Sequence, residues 1–456
     1  MNIKFLLNGE TIKLETVDPY LTCLDFLREQ CHLTGTKEGC NEGDCGACTV
    51  IVSDYDTAKP VNACILFLGQ LNGKAIRTVE GVGLDGHLHP VQDEIVANNA
   101  SQCGFCTPGI VMSLVAAQIN GRSDHENTLA GNLCRCTGYT SIIKAAEKAA
   151  IVSEPIWLKE DRKKIRSMPI VSNFNLPRSS DEVAALLESN PEIRLIAGAT
   201  DVGLWVTKGL QDVSPSAFLS NVKDLSIIEE CQDEYLIGAL VTIEALYNWA
   251  KLTCWSYAEL LRRYGSVQIR NAATLGGNIA NGSPVGDNPP VLIAAGSELC
   301  LRQGNRRRRI PLESYFLNYG NQDLKVGEFV EAIIVPKSLD ALRCYKVSKR
   351  FDQDISAVCG SFNIEISNGI ISSARIAFGG MAEIPKRAIN VENALLGQPW
   401  SIKTLEGIKA EWNKDFTPLT DVRGSAKYRL KVARNLLIRY YMERSAQTAD
   451  LLQVVP

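Results

Sequence analysis

Gly39-Cys40-Asn41-Glu42-Gly43-Asp44-Cys45-Gly46-Ala47-Cys48 is the stretch around which the rest of the chain can be ordered, with a further cysteine at Cys64. Cysteines spaced C-x4-C-x2-C with a distant fourth follow the spacing of plant-type [2Fe–2S] sites. Four thiolates must converge on two irons, and the loop must turn its backbone N–H groups toward negatively charged cluster sulfur. Gly39, Gly43, Gly46 and Ala47 leave room for that wrap. A structural zinc site and buried free thiols are the alternatives, but the spacing lacks the paired C-x-x-C knuckles of zinc sites.

Upstream, residues 2–17 alternate apolar and polar about Asn8-Gly9, a dipeptide suited to a tight hairpin. Pro19 to Glu29 predicts a helix with Leu21, Leu24 and Leu27 on one stripe. Strand, strand, helix and cysteine loop together resemble the β-grasp of ferredoxins. Cys23 and Cys31 fall outside the ligand spacing and are assigned to core packing. Downstream, Gly81-Val82-Gly83-Leu84-Asp85-Gly86 matches G-x-G-x-x-G after the strand-like Ala75 to Val79. A dinucleotide fingerprint would open a helix at once, whereas His87-Leu88-His89-Pro90 intervenes, so this is a glycine-rich interdomain turn. His87 and His89 lack a visible third metal partner and read as solvated or capping.

A second cysteine set follows at Cys103-Gly104-Phe105-Cys106 and Cys134-Arg135-Cys136. Each pair precedes a helix-like run, Pro108 to Asn120 and Ser141 to Ile151. Two helix N-termini aimed at one anionic cluster would supply unpaired N–H donors and the favourable end of the helix dipole. C-x-x-C or C-x-C alone fits zinc or thiol redox chemistry as well; the two together, downstream of a ferredoxin-like segment, point to a [2Fe–2S] centre in a small helical bundle.

Gln102 to Gly109 and Gly131-Asn132-Leu133-Cys134-Arg135-Cys136-Thr137-Gly138-Tyr139, after the Cys40 to Cys48 loop, resemble the iron–sulfur signatures of the molybdenum hydroxylase family. The resemblance implies Cys103, Cys106, Cys134 and Cys136 as ligands of a cluster proximal to a molybdenum cofactor. It implies Cys40, Cys45, Cys48 and Cys64 as ligands of a distal cluster nearer a flavin.

Residues 155–170, Pro-Ile-Trp-Leu-Lys-Glu-Asp-Arg-Lys-Lys-Ile-Arg-Ser-Met-Pro-Ile, change composition sharply and read as a linker. Beyond it, Ser180 to Ser189 predicts a helix and Ile193 to Ile196 a strand running into Ala197-Gly198-Ala199-Thr200-Asp201-Val202-Gly203. A glycine-bearing loop after a strand can cradle phosphate through backbone N–H groups. A second glycine segment spans Arg270 to Ser283, where Gly276 and Gly277 would let a ligand approach the main chain and Thr274, Asn278 and Ser283 offer hydrogen bonds. Asp287-Asn288-Pro289-Pro290 predicts a helix start. Two ordinary glycine turns are the bland alternative.

These segments resemble the flavin loops of the same family, whose flavin domain is a two-lobed, non-Rossmann α/β structure. The resemblance implies FAD contacts from Leu195, Ile196, Ala197, Gly198, Ala199, Thr200, Asp201 and Val202, and from Thr274, Leu275, Gly276, Gly277 and Asn278. It adds Tyr264, Asp287 and Lys346, the last within Tyr345 to Ile355, which resembles the start of the family's C-terminal flavoprotein domain. Asp201 and Tyr264 are also candidates for meeting nicotinamide.

The organisation expected is a multidomain α+β chain. A ferredoxin-like β-grasp [2Fe–2S] domain covers 1–84, a helical-bundle [2Fe–2S] domain 85–154, a linker 155–170, a two-lobed FAD-binding domain 171–340 and a C-terminal flavoprotein domain 341–456. Its 456 residues suit roughly three or four domains of about 100–200 residues. Net charge of −3 gives no drive toward nucleic acid or anionic membrane. Met1 to Leu7 reaches polar Asn8-Gly9-Glu10 too soon for a signal peptide, and no run of about 18 apolar residues follows, so a cytoplasmic chain is expected. Without a secretory signal, its 15 cysteines point to metal or redox use rather than disulfides. Arg306-Arg307-Arg308-Arg309 reads as a solvated hairpin, and Asp421 to Met442 ends in a helix packing Leu436, Leu437 and Tyr440. No histidine follows His125, which argues against histidine base catalysis in the flavin half; no catalytic residue is assigned.

The resemblance covers nearly the whole chain and implies the iron–sulfur/FAD subunit of a bacterial purine-oxidising member. The molybdenum portion that follows the flavin domain in single-chain members is missing before Pro456, so a separate molybdopterin subunit is expected, in a heterotetramer with two copies of each chain. NAD is the implied acceptor. A hydroxylase acting on an aldehyde or N-heterocycle, a free-standing electron carrier and a zinc-stabilised scaffold are the other readings.

Overall fold

Asn8 (φ 50°) and Gly9 (φ 88°) both take the left-handed conformation that a two-residue hairpin requires. They join β1 (Ile3–Leu7) to β2 (Glu10–Leu14), with Ile3 opposite Leu14. With β3 (Thr49–Ser53), β4 (Ala58–Asn62) and β5 (Ala75–Arg77) they form a sheet in the order β2-β1-β5-β3-β4, parallel only between β1 and β5. Phe5, Leu7, Val50 and Ile76 pack against Cys23, Leu24 and Leu27, so Cys23 is a core residue and Cys31 lies partly buried against the same cluster. The helix expected from Pro19 starts later. Thr22 Oγ1 accepts from Asp25 N and caps Cys23–Asp25, after which Phe26–Gln30 widens into a π-helical turn. The computed structural model describes residues 1–84, 86–169 and 174–445; Asp85 of the glycine-rich turn, Ile170 of the expected linker and the start of the expected FAD domain at 171 lie outside them.

Helices Pro90–Ala97, Thr107–Ile119, His125–Leu129 and Thr140–Lys148 enclose a second core, with Gly109 to Gln118 buried in sequence. His89 caps the first of them: its Nδ1 accepts from Val91 N at 3.2 Å. The segment read as a linker is a helix over Ile156–Arg166, whose Trp157, Leu158 and Ile165 are buried. Arg77 of β5 donates to both oxygens of Asp161 at 2.7 and 2.8 Å and lies 4.9 Å over the Trp157 ring. The charged residues that suggested a connector cover the outer face of a docked helix.

The chain divides into two compact units. The first comprises Met1–Arg178, Glu192–Val222 and Gly265–Ala273; the second comprises Ser179–Pro191, Lys223–Tyr264 and the chain from Thr274 onward. Besides the iron–sulfur-like segments, the first unit holds the parallel pair Arg194–Ile196 and Ser216–Phe218 and the short helices Val202–Thr207 and Val267–Ala272. The second holds a five-stranded sheet in the order Arg306–Pro311, Glu298–Gln303, Phe329–Pro336, Glu234–Gly238, Ile228–Glu230. It also holds a four-stranded antiparallel sheet, Leu342–Val347 to Lys386–Arg387, packed on the helix Ala426–Arg444 through Leu436, Leu437 and Tyr440. The arginine run forms the expected hairpin, but Arg307, Arg308 and Arg309 are paired with Glu331, Glu328 and Glu234. No described helix is long and apolar enough to cross a membrane.

Candidate functional site

The first cysteine loop bends through Asn41, Gly43 and Gly46 at φ of 54°, 80° and 71°, and this curl brings its sulfurs together. Cys40 Sγ accepts the backbone N–H of Asp44 and of Cys45, each at 3.3 Å. The Cys45 and Cys64 thiols hydrogen-bond to Cys40 and hold it far below the ordinary thiol range; Cys64 does the same to Cys48. As donors, Cys45 and Cys64 are pushed up. Cys48 and Cys64 are buried, Cys40 and Cys45 half-buried. Converged thiols met by inward N–H groups fit an anionic iron–sulfur cluster.

In the second set Cys106 is the cap of the helix Thr107–Ile119, and the loop of Cys134 and Cys136 leads through Gly138 (φ 64°) and Tyr139 (φ 66°) into Thr140–Lys148. Tyr139 folds back, its hydroxyl accepting from Cys134 N at 2.7 Å and donating to Asn132 O at 2.8 Å. Cys106 meets Cys134 and Cys103 meets Cys136. Burial, with the Cys134 contact, pushes Cys106 up to about 12. Burial opposes ionisation of Cys134 too, but the Thr137 hydroxyl, 3.2 Å from its sulfur, and nearby backbone N–H groups hold it below the ordinary value. Cys103 and Cys136 are exposed, and Phe105 (47% exposed) and Leu133 (69%) flank them. The sets are joined directly: Leu133 N donates to Cys45 O at 2.9 Å. Among the described residues no three His, Cys, Asp or Glu side chains group as a single-ion site.

The expected flavin residues fall in both units. In the first, Leu195 and Ile196 end a strand and Ala197 O accepts from Gln70 Nε2 at 2.9 Å. Gly198 is required by its own backbone neighbour, since a Cβ there would sit 1.8 Å from Ala272 O. Ala199 is left-handed (φ 58°), Thr200 and Asp201 follow, and Val202 begins the helix Val202–Thr207. That helix lies on the first cysteine loop: Thr207 Oγ1 donates to Asn41 O at 3.0 Å, and Gly203 backs onto Ile65, next to Cys64.

In the second unit Thr274 Oγ1 caps Leu275–Asn281 by accepting from Gly277 N at 3.2 Å. The two glycines part company here. Gly276 faces Ala239, whose Cβ would lie 2.5 Å from a Cβ at 276, so packing by itself already requires glycine there. Gly277 is exposed and would meet only Thr274 Oγ1. Asn278 donates to Tyr264 Oη at 3.2 Å and accepts from Asn288 Nδ2 at 2.9 Å; Asn288 in turn accepts from Tyr257 Oη at 2.7 Å. Lys346 Nζ lies 2.5 Å from Asp287 Oδ2 and 3.1 Å from Ser356 Oγ, all buried. An open main-chain edge bordered by a hydroxyl, amides and a buried ammonium–carboxylate pair fits a flavin nucleotide. Tyr257 and Ser356 were not singled out in sequence, and Asn288 only as part of a helix start, because a polar residue whose partners are distant carries no local signal.

Four domain families match the chain in order. They are a 2Fe-2S iron–sulfur cluster binding domain over residues 5–68, a [2Fe-2S] binding domain over 78–147, the FAD binding domain in molybdopterin dehydrogenase over 171–338 and the CO dehydrogenase flavoprotein C-terminal domain over 343–444. A xanthine dehydrogenase of Emericella nidulans is 30% identical over 98% of this chain and 39% of its own length. A nicotinate hydroxylase of the same organism is 27% identical over 96% of this chain and 40% of its own. The chain thus spans about two-fifths of the length of these relatives. Among solved structures, a carbon monoxide dehydrogenase from Hydrogenophaga pseudoflava matches at TM-score 0.56 and 25% identity, over 62% of this chain and all of that one.

Proposed function

We propose that this chain, which carries in order two [2Fe–2S] domains, the molybdopterin-dehydrogenase FAD-binding domain and the flavoprotein C-terminal domain, is the iron–sulfur/FAD portion of a molybdenum hydroxylase and serves as the electron-transfer subunit of a xanthine dehydrogenase. Its partner is a molybdopterin subunit that oxidises hypoxanthine or xanthine, in a cytoplasmic heterotetramer with two copies of each chain and NAD as acceptor. When bound, the clusters carry electrons singly and the flavin gathers two for delivery as hydride.

This chain's residues do the holding. Cys103, Cys106, Cys134 and Cys136 ligate the cluster proximal to the partner; Cys40, Cys45, Cys48 and Cys64 ligate the distal one. Leu195 to Val202, Thr274 to Asn278, Tyr264, Asp287 and Lys346 bind FAD, and Asp201 and Tyr264 meet nicotinamide. One observation carries the order. The helix after the first flavin loop hydrogen-bonds to the Cys40 loop, that loop hydrogen-bonds to the Cys134 loop, and in the second set the Cys103 and Cys136 thiols are exposed, beside exposed Phe105 and Leu133. An apolar rim around an exposed redox centre suits a protein partner.

The test uses the complex from its native source without oxygen. Xanthine should bleach the flavin absorbance and NAD should restore it. Bleaching by dithionite but not by xanthine or hypoxanthine would sink the purine assignment. The nicotinate hydroxylase among the relatives supports an N-heterocycle as the second reading, and bleaching by nicotinate in the same cuvette would select it.

A further inference from the structure

Gln268 lies on the short helix Val267–Ala272 of the flavin segment, yet its side chain is buried among the iron–sulfur loops of the same unit, 1% exposed. Its Nε2 lies 3.1 Å from Thr49 Oγ1, 3.0 Å from Ser113 Oγ and 3.2 Å from Asn132 Oδ1. Each of these is an acceptor by necessity. Thr49 has given its proton to Gly46 O at 2.6 Å, and Ser113 has given its own to Asn132 Oδ1 at 2.7 Å. Asn132 Nδ2 donates to the same Gly46 O at 3.0 Å. The network therefore has one direction, from the amide of Gln268 toward the carbonyl of Gly46.

Every member sits beside a cysteine-bearing element. Gly46 follows Cys45, Thr49 follows Cys48, Asn132 is two residues before Cys134, and Ser113 is on the helix that Cys106 caps. Around the amide there is no slack. A Cβ on Gly131 would lie 2.2 Å from Gln268 Oε1, and a Cβ on Gly46 2.0 Å from Gly131 O. Gln268 Oε1 itself is buried without a hydrogen-bond partner, a desolvation burden that a leucine would not carry. What the amide adds over leucine is a pair of directed donors.

The other end of the same helix reaches the flavin loop, where Ala272 O is the atom that excludes a side chain at Gly198. Four residues of helix separate Gln268 from Ala272, about 6 Å of rigid rise. Ile269 and Asn271 fix its flank, against Gly43 and on Pro60 O at 3.2 Å.

We propose that Gln268 is a positioning residue that sets the register of the two cysteine loops against each other and, through the helix Val267–Ala272, against the flavin loop at Gly198. The proposal rests on the relay reading above. It places the device that fixes the spacing between redox centres in the flavin segment rather than in either cysteine domain, so docking of that segment completes the relay.

The test compares wild type, Gln268→Leu and Gln268→Glu in the complete holoenzyme. After full reduction by dithionite, low-temperature EPR reads the spin–spin splitting between the two clusters, and stopped-flow absorbance reads flavin reduction by substrate and by NADH. Gln268→Leu should keep its iron, sulfide and FAD, change the splitting, and slow substrate-driven flavin reduction by about tenfold with NADH-driven reduction unchanged. Gln268→Glu sets a carboxylate against three acceptors and should be worse at high pH, recovering in acid as its carboxyl regains a donor. Unchanged splitting and rate in both variants would overturn the proposal. So would loss of both clusters in both variants at every pH, which would make Gln268 a folding residue. If wild type itself lacks two [2Fe–2S] signals, it is the relay reading that fails.

Discussion

The two cysteine sets solve one chemical problem in opposite ways. The first is wrapped by a loop curled through three left-handed residues and closed over by β3, the Cys64 turn and the helix Val202–Thr207. The second is perched on two helix N-termini, with Cys103 and Cys136 at the surface. Enclosure limits water and fixes a cluster's surroundings; exposure leaves a short route to another protein. An interior relay point needs the former and a docking point the latter.

The largest expected effect separates the two sets by the reactions they serve. Cys136→Ser should lower substrate-driven flavin reduction by more than the roughly 10–100-fold typical of lesions just outside a metal's ligands, and leave NADH-driven reduction nearly intact. Stopped-flow assay of both directions checks it, and equal loss in both, with FAD still bound, would place the lesion at the flavin rather than on the path from the partner.

Enclosure itself can be broken at Asp161. The Arg77 pair is buried, with side-chain exposures of 8% and 0%, so Asp161→Ala should cost about 3–5 kcal/mol and free the helix over β5. In urea titration, iron of the first set should then be released before that of the second; the opposite order would argue that enclosure does not stabilise the first site.

Acid should act on the other side of the comparison. His89 must be unprotonated at Nδ1 to cap its helix, and burial pushes its pKa down from 6.5 to about 4. With the folded value below the unfolded one, protons favour the unfolded chain: the contribution is whole above pH 6.5 and is lost as pH falls from 6.5 toward 4. Thermal melts should show this slope in wild type and a flatter one in His89→Asn, whose amide caps without titrating; the cap is worth about 0.5–2 kcal/mol.

The smallest effect tunes one site. Thr137→Val removes the hydroxyl donor to Cys134 sulfur, a contribution of about 1 kcal/mol, or about 40 mV in a one-electron couple. Hydrogen bonds to sulfur favour the more negative, reduced cluster, so the second set's midpoint should fall while the first set's stays fixed. EPR redox titration reads both signals, and a shift in the first alone would contradict the assignment.

Local chemistry was legible wherever it is made by neighbours in the chain. Asn8-Gly9 predicted its hairpin and the Asp287 to Pro290 run its helix start, because turn dihedrals and helix starts depend on a few adjacent residues. The glycines were legible as tight places but not as to what crowds them. Gly198 and Gly276 suggested a ligand's approach, and the atoms that come close are Ala272 O and the Ala239 side chain.

Residue order and spacing alone were enough to expect several domains, to sort eight cysteines into two sets and to single out two glycine loops. Tertiary structure decided which set is enclosed and which exposed, made Ile156–Arg166 of the expected linker a docked helix, and carried Gln268 more than a hundred positions along the chain to the junction of both loops. The physical reason is common to all three. Burial, a paired carboxylate and a directed amide are properties of what surrounds a residue, and those surroundings come from distant segments that no local pattern can name.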